Sequence, residues 1–122
     1  MLTFSEAYDA LDELMEALPA GIFKGLNGGV VLREGELHDV NGLIILGQYH
    51  NEPYGLGRYV TINYGSILCA FGNLPHCDFI KELRNVLHHE LTHHIESLAG
   101  DRSLEKQDAI DVQRMLAGRW DS

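Results

Sequence analysis

Cysteine and positive charge are both scarce in this chain. Cys69 and Cys77 are its only thiols in 122 residues. They are too few for a disulfide scaffold and too far apart for a CxxC redox or zinc pair. A bridge between them is not demanded, and two buried thiols of a cytosolic protein are expected. Nine Lys+Arg stand against 18 Asp+Glu, for a formal net charge of −9. The bases do not cluster, so the chain would repel a phosphate backbone, and nucleic acid is not expected as a partner. No apolar run approaches the roughly 20 residues that a membrane-spanning helix needs. Met1-Leu2-Thr3-Phe4 opens no basic and then apolar leader, so a cytoplasmic location without membrane contact is expected. The glycines form neither a GxGxxG nor a Walker loop and read as turns. Repeats, low-complexity tracts and linkers are missing too, which fits a single domain over residues 1–122.

What is present is patterned. Phe4, Ala7, Tyr8, Leu11, Leu14, Met15 and Leu18 recur at helical spacing, with Glu6, Asp9, Asp12, Glu13 and Glu16 on the other face. Thr3 and Glu6 have the capping-box spacing, and Pro19 and Gly21 stop the helix. A glycine-punctuated region follows, with strands expected at 29–33, 43–49 and 58–64. Leu43-Ile44-Ile45-Leu46 reads as a buried strand and 58–64 as a half-exposed one. From Ser66 the pattern is helical: a short turn at 67–71, a long helix over about 78–99 stopped by Gly100, and a last helix over about 103–117. The fold class is α+β.

Seven histidines are an excess, and four of them fall between His88 and His94. His89-Glu90-Leu91-Thr92-His93 is an HExxH. Residues four apart on a helix share a face, so two imidazoles can grip one zinc ion. The Glu beside the first His can then move a proton between an attacking water and the leaving group. With His89 at zero on the helical wheel, His93 falls at roughly 40° and Glu90 at roughly 100°. The apolar stripe of Leu83, Leu87, Leu91 and Ile95 begins at roughly 120°. The ligand pair therefore borders the core, where a cleft would lie. His94 falls inside the stripe and is expected as a hydrogen-bonded core histidine, whereas His88 lies at its far edge.

A catalytic zinc needs a third protein ligand. The metzincin continuation HExxHxxGxxH fails, because Glu96 and Ala99 occupy its last two defined positions. In the last helix, Glu105 and Asp108 point within the apolar sector, where carboxylates are costly unless paired or metal-bound. Glu105 is the expected third ligand and Asp108 an acceptor for a ligand histidine N–H. Asp108 and Asp101 are the alternatives as ligand.

These residues resemble a known group, the small single-domain bacterial zincin-like metallopeptidases. The similarity runs through Leu18-Pro19, Leu46-Gly47-Gln48-Tyr49 and the strand at 59–64. It is strongest at His89-Glu90-Leu91-Thr92-His93-His94, an HExxHH. The resemblance implies a minimal zincin-like fold, with His89 and His93 binding one Zn2+ ion and Glu90 as general base. It also implies a peptide or protein substrate paired along the strand at 43–49 or at 58–64. Tyr49, Tyr54, Tyr59 and Tyr64 are unranked candidates to stabilise the oxyanion. Two other readings compete: a zinc-binding interaction module without turnover, and a helical protein without metal.

Overall fold

The computed structural model describes residues 2–100. Helix α1 (Phe4–Glu16) starts on the capping box read from the sequence. Glu6 N–H donates to Thr3 Oγ1 at 3.1 Å, and Thr3 N–H donates to the Glu6 carboxylate at 2.9 Å. Hydrogen bonding to the Thr3 backbone N–H first, and to its hydroxyl second, holds the Glu6 carboxyl below its ordinary range. Thr3→Ala removes half of this exchange and is expected to cost about 1 kcal/mol. A urea midpoint equal to the wild type's would show the cap to be redundant. Ala7 and Leu11 carry the buried face of α1. A single 3-10 turn, Ala20–Phe23, follows Pro19 and buries Ile22.

Three strands form one mixed sheet in the order β1-β3-β2. Strand β1 (Gly29–Arg33) runs parallel to β3 (Gly57–Asn63), with Val31 opposite Thr61. Strand β2 (Gly47–Glu52) runs antiparallel to β3, with Tyr49 opposite Val60. Helix α2 (Tyr64–Phe71) follows β3 directly, and α3 (His76–Gly100) closes the described chain. The core lies between the sheet and the helices, centred on Leu11, Ile22, Ile62, Phe79, Leu83 and Leu87.

Four expectations need correction. Residues 43–46 are not strand. Asp39 Oδ1 accepts from the N–H groups of Asn41 and Leu43, Gly42 takes φ +80°, and Ile45 N–H donates to Leu37 O at 2.8 Å. A tight loop thus consumes these backbone groups, and β2 begins only at Gly47. Next, β3 is buried on both faces over residues 59–63, because it is the central strand. The expected turn at 67–71 is instead the full helix α2, which takes in Tyr64. Finally, Cys69 and Cys77 are exposed and unpaired rather than buried. The expected helix over 103–117 lies outside the described residues. Among the described residues no helix is long and apolar enough to cross a membrane.

Candidate metal centre

Helix α3 brings the motif together. His89 Nε2 and His93 Nε2 lie 3.2 Å apart, with ring centroids 4.7 Å apart and ring planes at 88°. Two nitrogens bound to one tetrahedral zinc at their usual bond length are separated by ~3.3 Å. The pair is thus already spaced as an edge of such a site. One donor atom each from His89, Glu90 and His93 lies within 4.8 Å of the others, and no other trio among the described residues meets that test. The donor set fits zinc in chemistry and in spacing.

Glu90 is the unusual member. It is only 6% exposed, while both histidines are exposed. Burial pushes its carboxyl above the ordinary range, and the nearby His93 offsets part of that rise. The reason lies in the packing of α3. Its buried arc runs from Val86, at roughly 60° on the same wheel, to His88 at roughly 260°. Glu90 therefore sits inside the arc rather than at its edge, and His88, expected at the rim, is buried at 2% exposure. Strand β2 presses on the helix at this point through Gly47. A Cβ there would lie 2.7 Å from Val86 Cγ1, 3.1 Å from Thr61 O and 3.3 Å from Glu90 Cγ. Gly47→Ala is expected to cost about 1–3 kcal/mol through overpacking. A denaturant midpoint matching the wild type's would mean that β2 has slack.

Glu90 opens on two clefts between α3 and the chain leading into and along β2. One, about 440 Å³, has an apolar wall of Ile44, Ile45, Leu46 and Val86 with His89 at its rim. The other, about 660 Å³, is bounded by Gln48, Tyr49, His93, Glu96 and Ser97. Both chain segments advance in the same direction, so the clefts form a groove with Glu90 near its middle. Strand β3 is paired on both sides and cannot take an added strand, whereas among the described residues β2 is an edge strand beside the groove. That removes residues 58–64 as a pairing strand.

The four tyrosines separate clearly. Tyr59 donates to Glu52 Oε1 at 2.9 Å, Tyr64 donates to Leu2 O, and Tyr54 is fully exposed. Only Tyr49 borders the groove, and its hydroxyl is engaged with His94 Nδ1 at 2.9 Å. His94 is fully buried, and its Nε2 donates to Lys24 O at 2.8 Å. Desolvation lowers its proton affinity below the ordinary imidazole range, and both ring nitrogens are committed to partners. It is the hydrogen-bonded core histidine expected from its place on the wheel. Glu96 stands on the other side of His93, its carboxylate 3.9 Å from Nδ1. Asp101, Glu105 and Asp108 lie outside the described residues.

Sequence reasoning missed two contributors, Gly47 and the Tyr49–His94 pair. The signal for the first was its place in Leu46-Gly47-Gln48-Tyr49, which the resemblance includes. The second joins residues 45 apart, and no local pattern marks it.

No protein-family model matches the chain, and no curated protein does. A solved structure, a conserved hypothetical protein from Thermus thermophilus, is 30% identical with a TM-score of 0.69. The match covers 81% of this chain and 99% of that one. The chain belongs to that protein's family. The two share one fold, and the candidate metal centre of this chain sits on that scaffold.

Proposed function

We propose that the protein is a cytoplasmic zinc-dependent metallopeptidase of the zincin type. One observation carries the reading: two convergent imidazole nitrogens flank a buried carboxylate that opens onto a groove beside an edge strand. A bound zinc ion supplies polarisation of a carbonyl and acidification of a water. Within the chain, His89 and His93 would hold the ion, their Nε2 atoms lying 3.2 Å apart. Glu90 takes the proton of an attacking water and returns it to the leaving nitrogen. Its burial raises its proton affinity towards the operating pH, which is what a general base needs. The outer edge of β2 offers backbone groups to an extended peptide or protein substrate. Glu105 is the proposed third ligand, with Asp108 accepting from a ligand histidine N–H and with Asp108 and Asp101 as the alternative ligands.

The exposure of both histidines supports a second reading, a zinc-binding interaction module without turnover. One experiment separates the two. Zinc is measured in untagged protein, and the zinc-loaded protein is incubated with a randomised decapeptide library read by mass spectrometry. Cleavage at defined positions supports the peptidase. Full zinc occupancy without cleavage supports the module, and substoichiometric zinc sinks both.

A further inference from the structure

The second histidine of the doubled pair has no place in the proposed ligand set, yet it is better held than either ligand. His94 is fully buried and joins three parts of the fold: α3, which carries it, β2 through Tyr49, and the segment after the 3-10 turn through Lys24. The Lys24 carbonyl can only accept, so His94 Nε2 carries the proton. Burial disfavours a second proton on the ring, which leaves Nδ1 as the acceptor that faces the Tyr49 hydroxyl at 2.9 Å, and the hydroxyl donates to it. The hydrogen bonds run one way, from Tyr49 through His94 to Lys24 O. Two consequences follow. The imidazole cannot serve as a metal ligand, since both nitrogens are spent inward. The Tyr49 hydroxyl proton is equally spent, so it is not free to donate to an oxyanion.

We propose that His94 is a positioning residue that acts through Tyr49, anchoring its ring as a fixed wall of the polar half of the groove and thereby setting how tightly a peptide seats beside Glu90. The tyrosine lines that cleft together with Glu90 and His93. Its ring is braced against the imidazole at a centroid distance of 5.5 Å. Gly25, at φ +80°, lets the Lys24 segment come close; a Cβ there would lie 3.8 Å from His94 Cε1 and 3.2 Å from Leu98 Cδ2. Loss of the anchor frees the ring to leave its place and opens the groove, while His89, Glu90 and His93 keep their positions. The cost then falls on substrate binding rather than on the metal or the proton transfer. This inference rests on the peptidase reading.

Three variants test it. Tyr49→Phe deletes only the hydroxyl, His94→Leu removes both bonds, and His94→Gln can restore both, since its amide donates and its carbonyl accepts. For the best peptide from the decapeptide library, Tyr49→Phe and His94→Leu are expected to raise KM about tenfold with little change in kcat. Zinc content stays at the wild-type level, and His94→Gln recovers KM to within about threefold of wild type. A histidine that only stabilises the fold would lower Tm in all three without this split. A second readout needs neither metal nor substrate. Nitrogen-15 NMR of the metal-free protein should show His94 protonated at Nε2 and bare at Nδ1, with Tyr49→Phe moving the Nδ1 resonance. The opposite tautomer overturns the proposal outright, and so does an unchanged KM in Tyr49→Phe. If the wild type binds zinc but cleaves no peptide, the peptidase reading has failed first, and this inference falls with it.

Discussion

Glu90→Gln is expected to keep zinc and to lower peptide hydrolysis by about 10²–10⁴-fold, the range a positioned general base contributes. The amide matches the carboxylate in size and shape, so the groove and the two imidazoles are undisturbed. What it lacks is a lone pair basic enough to take a proton from water. An undiminished rate with full zinc occupancy would remove Glu90 from the mechanism. The same variant should be more stable than the wild type when both are metal-free. Burial raises the Glu90 carboxyl in the folded state. A group raised in this way contributes its stability in full below its unfolded value, and that stability is lost as the pH climbs through the folded one. Between acid and neutral pH the metal-free wild type therefore loses stability that Glu90→Gln retains. A gain of about 1 kcal/mol at neutral pH is of the size seen when active-site strain is relieved. Thermal melts at two pH values check it: a gain present at pH 7 and absent in acid is expected, and equal melting at both would count against a strained carboxylate.

The parts of this fold legible in the sequence are those fixed by neighbours along the chain. Thr3 and Glu6 define the start of α1 because a capping box is complete within four residues. Strand β1 has the bounds read from its glycine and apolar pattern. The HExxH face of α3 follows from helical spacing alone. The failures have two kinds of cause, partners across the sheet and a side chain that captures nearby backbone. Tyr59, Thr61 and Asn63 alternate with apolar residues and so read as solvent-facing. In the fold they are buried because the central strand supplies partners from afar: Glu52 for Tyr59, His50 for Thr61 and the Ile45 carbonyl for Asn63. Leu43-Ile44-Ile45-Leu46 has strand composition, but Asp39 captures its backbone first. Periodicity reports which residues are apolar, and it does not report which polar residues will find a partner across the sheet.

The same distinction governs the site. The proposed ligand pair and the proposed base lie within five consecutive residues, so one helical turn places them whatever the rest of the chain does. The wall of the groove depends instead on the register of β2 against β3, which sets Gly47 opposite Ile62 and Tyr49 opposite Val60. That register decides which residue meets Glu90 and which meets His94. Four tyrosines that the sequence leaves equivalent are thus sorted by topology into one groove residue and three others.

Removal of the metal is the second large effect, and its size reports the third ligand. His89→Ala and His93→Ala are each expected to weaken zinc binding by more than about 100-fold, since they delete ligands rather than the partners of ligands. Atomic-emission analysis of untagged protein and competition with a chelating dye measure this; wild-type stoichiometry in either variant would sink the centre. Thermal stability adds information that affinity does not. Two histidines one turn apart staple only the turn of α3 between them, and that turn is already held by its own backbone bonds. A zinc ion bound by these two alone would hardly stabilise the tertiary fold. An ion that also binds Glu105 ties α3 to another part of the chain and favours the folded state by mass action, by about 2.7 kcal/mol at a hundredfold excess over Kd. Chelation should therefore lower the wild-type Tm by several degrees. Glu105→Ala is expected to keep measurable zinc binding through His89 and His93 but to lose most of that Tm shift. If its shift equals that of the wild type, Glu105 is not the ligand, and the same comparison on Asp108→Ala and Asp101→Ala identifies which carboxylate is.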